Sequence, residues 1–138
     1  MISPQLEDKN ILIIESLPEK ITLIEPFFEY FRTEYHISDE IYGNILVAVT
    51  EAVNNAILHG NKEDGNKSVS INVKKSKNVF ICCILDEGEG FDFNNVPDPT
   101  SPENIESAGG RGVFLMKNLS DLVIFSNKGS AVEIQFKL

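Results

Sequence analysis

Apolar and polar positions repeat with two different periods along the chain, and the switches between them mark its elements. Ile11 to Ser16, ILIIES, is short, apolar and β-branched, and reads as a first strand ending at LPEK. Ile24, Phe27, Phe28 and Phe31 then fall at helical spacing, with Pro26 either kinking that helix or marking its first turn. A second helix is expected from a cap at Ser38, with Asp39 and Glu40 in the favourable first turn, to Gly60, a residue suited to a left-handed C-terminal cap. SVSINVKKS and VFICCILDEG read as two strands joined by a short polar turn near Ser76 to Asn78. From Gly88 to about Gly112 the chain is rich in Gly, Pro, Asn and Ser, a loop of roughly 20 residues, and loops of that length are usually functional or disordered. VFLMKNLSD reads as a third helix, and LVIFSN and AVEIQFKL as a closing pair of strands around KG. The order of elements predicts one α+β domain over residues 1–138: a two-layer sandwich with a mixed, largely antiparallel sheet of about five strands and three helices on one face.

Length and composition narrow the function classes. The 138 residues, 42% of them hydrophobic, are enough for one self-sufficient core. A net charge of −9, with scattered basic residues, argues against nucleic acid and anionic membrane surfaces as partners. Cys82 and Cys83 are adjacent and should point to opposite faces of a strand, which suits neither a disulfide nor a zinc site. At least one of them reads as a small buried hydrophobe. The N-terminus lacks a basic start followed by an apolar core, and no apolar run approaches the ~20 residues that span a bilayer. A soluble, cytoplasmic protein is expected.

The chemistry concentrates in three places. On the helix that ends in VTEAVNNAILHG, Asn44, Glu51 and Asn55 fall within about 40° of one another, opposite a broad apolar arc that includes Ile45, Val49, Val53 and Ile57. Periodicity alone favours an ordinary solvated face. Against it, no Lys or Arg occurs between Arg32 and Lys62, and three weakly helix-forming Asn residues sit in this helix. Glu51 and Asn55, four residues apart, offer a carboxylate able to act as a base and a neutral oxygen able to ligate a hard cation such as magnesium. His59 is a helix-end residue that could hydrogen-bond such a site. In LDEGEGFD, Asp86 ends an apolar strand before Gly88 and Gly90; this is either a simple turn or a loop whose carboxylate accepts from an exocyclic amine while the glycines admit a flat ring. In SAGGRGVFLM, Gly109, Gly110, Arg111 and Gly112 lead into a helix, as a hinge or as a phosphate-binding N-terminus to which Arg111 adds charge. Neither glycine stretch matches a P-loop or a dinucleotide-binding fingerprint. E-x-x-x-N, then D-x-G-x-G, then G-x-G before a helix, in this order, is far more specific than any one of them.

With these stretches the chain resembles the ATPase domains shared by DNA gyrase and histidine kinases, the Bergerat ATP-binding fold, and within them the anti-sigma factor serine kinases. The resemblance runs from about Ile11 to Leu138 and rests on TEAVNNAILHGN, LDEGEGFD, DPTSPENIESAGGRGVFLMKNLSDLV and KGSAVEIQFKL. It implies Glu51 as the base on an acceptor hydroxyl or water and Asn55 as the magnesium ligand, with Asn54 leaving open which carboxamide serves. Asp86 would bind the adenine amino group, Gly88 and Gly90 would shape the pocket floor, and Gly110, Arg111 and Gly112 would belong to a lid over Gly88 to Gly112. It further implies ATP and Mg2+ as cofactors, an anti-sigma-factor antagonist as phosphorylated partner, possibly a sigma factor as bound partner, and a homodimer to which Phe27 to Phe31 could lend surface. A histidine kinase is disfavoured, because only about ten residues precede the first strand. The alternative is a non-catalytic module that binds a partner when ATP is bound.

Overall fold

The computed structural model describes residues 10–89 and 110–138. Its order is β1 (Ile11–Glu15), a 3-10 segment (Pro18–Leu23), α1 (Ile24–Glu34), α2 (Asp39–Asn55), a π turn (Ala56–Gly60), β2 (Ser68–Ser76), β3 (Val79–Leu85), α3 (Gly110–Leu119), β4 (Leu122–Ser126), a 3-10 turn (Asn127–Gly129) and β5 (Ala131–Lys137). Residues 90–109, most of the expected lid and Gly90 with it, lie outside the described residues.

The five strands form one sheet in the order β1-β2-β3-β5-β4. Every pairing is antiparallel. The closing hairpin inserts β5 between β3 and β4, leaving β4 as the edge strand. Period-2 alternation sends one side chain in two to the helical layer. Register aligns them: Ile14 opposite Val69, Ile71 opposite Ile84, Phe80 opposite Phe136, Cys82 opposite Ile134. Cys82 is buried among them, while Cys83 faces the other way and is half-buried beside Glu133; both are free thiols.

Helix α2 lies at the centre of the helical layer, burying Ile45, Ala48, Val49, Ala52 and Val53. By length and composition the span Asp39–Gly60 could cross a membrane, but its apolar arc is used inside the protein. Ser38 caps it as expected, its Oγ accepting from the Ile41 amide at 3.3 Å. Pro26 falls in the first turn of α1, where its missing N–H has no helical partner to lose, so no kink results. Phe28 and Phe31 are each 1% exposed and meet Phe80 edge-on at 6.1 and 6.2 Å. Of the segment Phe27 to Phe31 offered as dimer surface, Phe28 and Phe31 therefore belong to the core of one chain, while Phe27 is half-buried and Tyr30 exposed. Across α1 and α2, the Tyr42 hydroxyl donates to Glu29 at 2.9 Å and Arg32 lies over the Tyr42 ring.

Ser38→Ala should cost about 1 kcal/mol of stability, the usual value of a lost N-cap. Chemical denaturation would read it as a lower midpoint with an unchanged slope.

Candidate functional site

A narrow cleft opens between α2, α3 and the ends of β3 and β5. Its walls are apolar, from Ala52, Ala56, Ile84, Met116 and Val132, and two polar side chains stand in it, Asp86 and Asn55. The turn between β4 and β5, Gly129 and Ser130, closes one side together with Phe125. Two sequence stretches about thirty residues apart thus meet in a cleft with apolar walls.

Asp86 follows directly after β3. Its amide donates to the Ser130 carbonyl at 2.9 Å, and its Oδ1 accepts from the Gly88 amide at 2.7 Å. Desolvation raises its carboxyl above the ordinary aspartate range, against the opposing pull of the Gly88 amide and Lys67. Its Oδ2 has no protein donor among the described residues. Close backbone approach brings the carboxylate here. A Cβ on Gly60 would overlap the Asp86 carboxyl group, and one on Gly88 would overlap the Gly60 carbonyl oxygen. Gly60 is therefore not the left-handed cap expected of it. Among the described glycines only Gly129 has positive φ, and the reversal after the helix is made by Lys62 and Glu63, at φ 55° and 57°. What Gly60 supplies is the absence of a side chain.

At the other end of the cleft the last turns of α2 meet the first turn of α3. A Cβ on Gly112 would lie 3.1 Å from Asn55 Nδ2 and 3.3 Å from Glu51 Oε2. All three groups therefore share one small volume. Asn55 Nδ2 is buried with no hydrogen-bond partner among the described residues. A buried donor left in this way is rare in native proteins, and it points to a ligand or ion that completes the site. Asn55 lines the cleft, whereas the neighbouring Asn54 and the half-buried His59 do not. Gly110 and Arg111 begin the α3 backbone, and the Arg111 side chain lies outside the described residues.

Asn61 carries no motif of its own, although it stands in the same HGN stretch. It is 1% exposed, and its carboxamide joins the Ser68 carbonyl (2.9 Å) to the Glu87 amide (2.8 Å). Its only signal in the sequence is a polar residue directly after the glycine ending an apolar helix, which reads equally well as a turn. Gly129 and Ser130 read in the sequence only as the closing hairpin turn, and Phe125 only as a strand residue, since such a turn looks the same wherever it packs.

Gly88→Ala should destabilise by about 1–3 kcal/mol, the usual range for overpacking, because the clash is with backbone and no side chain can swing aside. Thermal unfolding measures it. Asp86→Asn should do the opposite at about pH 7. The folded state raises the Asp86 pKa, so it favours the protonated acid, and ionisation costs stability as pH climbs through the raised pKa. The variant's advantage should accordingly shrink as pH falls through the raised pKa, where the wild-type carboxyl takes up its proton. Paired melting curves across that range would show the gap closing.

The profile of the family described as histidine kinase-like ATPase domain matches residues 14–136. The chain is similar to the serine-protein kinase RsbW of Bacillus subtilis, 37% identical over 95 residues, which are 64% of this chain and 59% of that protein. It is similar as well to the anti-sigma F factor of Geobacillus stearothermophilus, 39% identical over 98 residues, 66% of each. The matches thus span less than two thirds of these relatives' own lengths. Among solved structures, the histidine kinase domain of a blue-light activated histidine kinase from Erythrobacter litoralis aligns with a TM-score of 0.50 and 22% identity, over 72% of this chain and 45% of that one. At that identity the likeness is one of fold. With the family profile running from the first strand to the last, over a sheet and helices that bring its polar residues to one cleft, the chain belongs to the histidine kinase-like ATPase domain family.

Proposed function

We propose that this protein binds ATP with Mg2+ in the cleft and transfers the γ-phosphoryl group to a serine or threonine hydroxyl of an anti-sigma-factor antagonist, and that it also binds a sigma factor. The names of the relatives, serine-protein kinase and anti-sigma F factor, support the class of partner. The observation that carries the chemistry is the meeting of Glu51, Asn55 and Gly112 at one end of a cleft whose other end holds Asp86. Such a role places the protein in the cytoplasm, where sigma factors act.

Each end has its work. Asp86 Oδ2, without a donor among the described residues, accepts from the exocyclic amine of adenine, and Ala52, Ala56, Ile84 and Met116 flank the ring. The first amides of α3, Gly110 to Gly112, have no intrahelical acceptor and face developing negative charge, with Arg111 next to them in the chain. Asn55 fits a hard cation as a neutral carboxamide oxygen, in a site where magnesium takes only one or two protein ligands. The Asn55 carboxamide can give its oxygen to the cation and its unpartnered Nδ2 to a phosphate oxygen. Magnesium, when bound, offsets the charge gathered on the phosphates. Glu51 orients the acceptor hydroxyl and takes its proton as the oxygen bonds to the γ-phosphorus and the bond to the bridging oxygen breaks, leaving ADP.

Glu51→Gln should lower phosphoryl transfer by about 10²–10⁴-fold, the span of a lost general base, while ATP affinity changes little. Labelled ATP with candidate antagonist proteins measures the first and calorimetry the second. Transfer at the wild-type rate would remove Glu51 from the role. Tight ATP binding by the wild type without transfer to any partner would make the protein a nucleotide-gated binding module instead.

A further inference from the structure

We infer that Asn61 is a positioning residue for base recognition: it sets the turn that aims the Asp86 carboxylate, and through it the preference of the cleft for a base bearing an exocyclic amine. The inference rests on the proposed ATP site and goes beyond it by assigning selectivity to a residue outside the cleft lining.

A carboxamide that is 1% exposed is costly unless both its ends are satisfied. Asn61 meets the condition by joining three segments. Its own amide closes the π turn onto the Ala56 carbonyl at 2.8 Å, its Nδ2 donates to the Ser68 carbonyl at the start of β2, and its Oδ1 accepts from the Glu87 amide. The Glu87 amide lies between Asp86 and Gly88, so Asn61 holds the middle peptide of the turn that carries the carboxylate. Glu87 ties the same turn from outside, its Oε2 accepting from the Ser68 amide at 2.5 Å.

No other side chain among the described residues holds the Asp86 carboxylate. Its one hydrogen bond is to the Gly88 amide, inside the same turn. The place of Oδ2 in the cleft is therefore a backbone property, set by the Ser130 carbonyl behind Asp86, the Gly60 contact below Gly88, and Asn61 between them. Adenine presents an amine where guanine presents a carbonyl, so a carboxylate held in place accepts from the first and repels the second. A carboxylate on a loosened turn follows either base, and discrimination falls with it.

The test compares wild type, Asn61→Ala, Asn61→Asp and Glu87→Ala by calorimetric titration with ATP and GTP, and by amide exchange at Glu87 and Gly88 without nucleotide. Asn61→Ala should weaken ATP by about tenfold while leaving GTP nearly unchanged, collapsing the ratio, and should speed exchange at the Glu87 amide. Asn61→Asp keeps an acceptor for that amide and should restore most of the ratio. Should Asn61→Ala fail to fold, Glu87→Ala, on an exposed side chain, should lower the same ratio by a smaller factor. Equal losses for ATP and GTP, or an unchanged ratio in the variants that fold, would overturn the inference. Absence of ATP binding by the wild type would instead overturn the proposed function, and the exchange data would still decide whether Asn61 holds the turn.

Discussion

The site depends on one close backbone approach. Where the central helix ends and β3 ends, the Gly60 carbonyl lies within what would be the side-chain volume of Gly88, and the Asp86 carboxylate occupies the place of a Gly60 side chain. Neither segment could approach so closely with a Cβ on it. The helix prepares the contact by loosening into a π turn over its last residues, with the Asn61 amide reaching back five positions to Ala56. π turns are uncommon and concentrate at functional sites, because the wider turn re-aims the groups that follow it. Here it brings Gly60 and Asn61 to the end of the sheet and leaves Glu51 and Asn55 on regular helix one or two turns earlier.

The same contact explains how one helix serves two layers of purpose. The apolar arc of α2 holds the helical layer to the sheet, through side chains that exclude water almost completely. The polar stripe beside that arc is covered in turn by the first turn of α3, with Gly112 small enough to lie against Asn55 and Glu51. Glu51 and Asn55 are thus carried on regular helix, the arrangement that keeps a site's geometry within narrow limits, while Asp86 stands on the turn after β3. The desolvated carboxylate of Asp86 and the unpartnered nitrogen of Asn55 are polar groups that a domain selected for stability alone would not keep.

Much of this is legible in the chain before it folds. Alternation in SVSINVKKS and the short apolar run VFICCIL place β2 and β3 where they stand, and Ser38 with two acidic neighbours marks the start of α2, because hydrophobic pattern and capping are local properties of the chain. The Glu51–Asn55 pair is legible as a stripe on a helix. Other features depend on partners distant in the chain. Gly60 looks like a left-handed cap, since a glycine at a helix end gives the same signal whether it supplies positive φ or an absent side chain. The polar stripe looks solvated, because period says which residues share a face and nothing about what covers it.

Local sequence settles the set of elements, the residues on each face, and the order of three polar stretches whose combination points to a nucleotide site. Packing in three dimensions settles that Asn55 rather than Asn54 lines the cleft, that β5 separates β3 from β4, and that Asn61 holds the turn bearing Asp86. The division has a physical cause. Dihedral preference and hydrophobic period act within a few residues, whereas close approach, desolvation and the satisfaction of buried polar groups arise only when segments far apart in the chain are packed against one another.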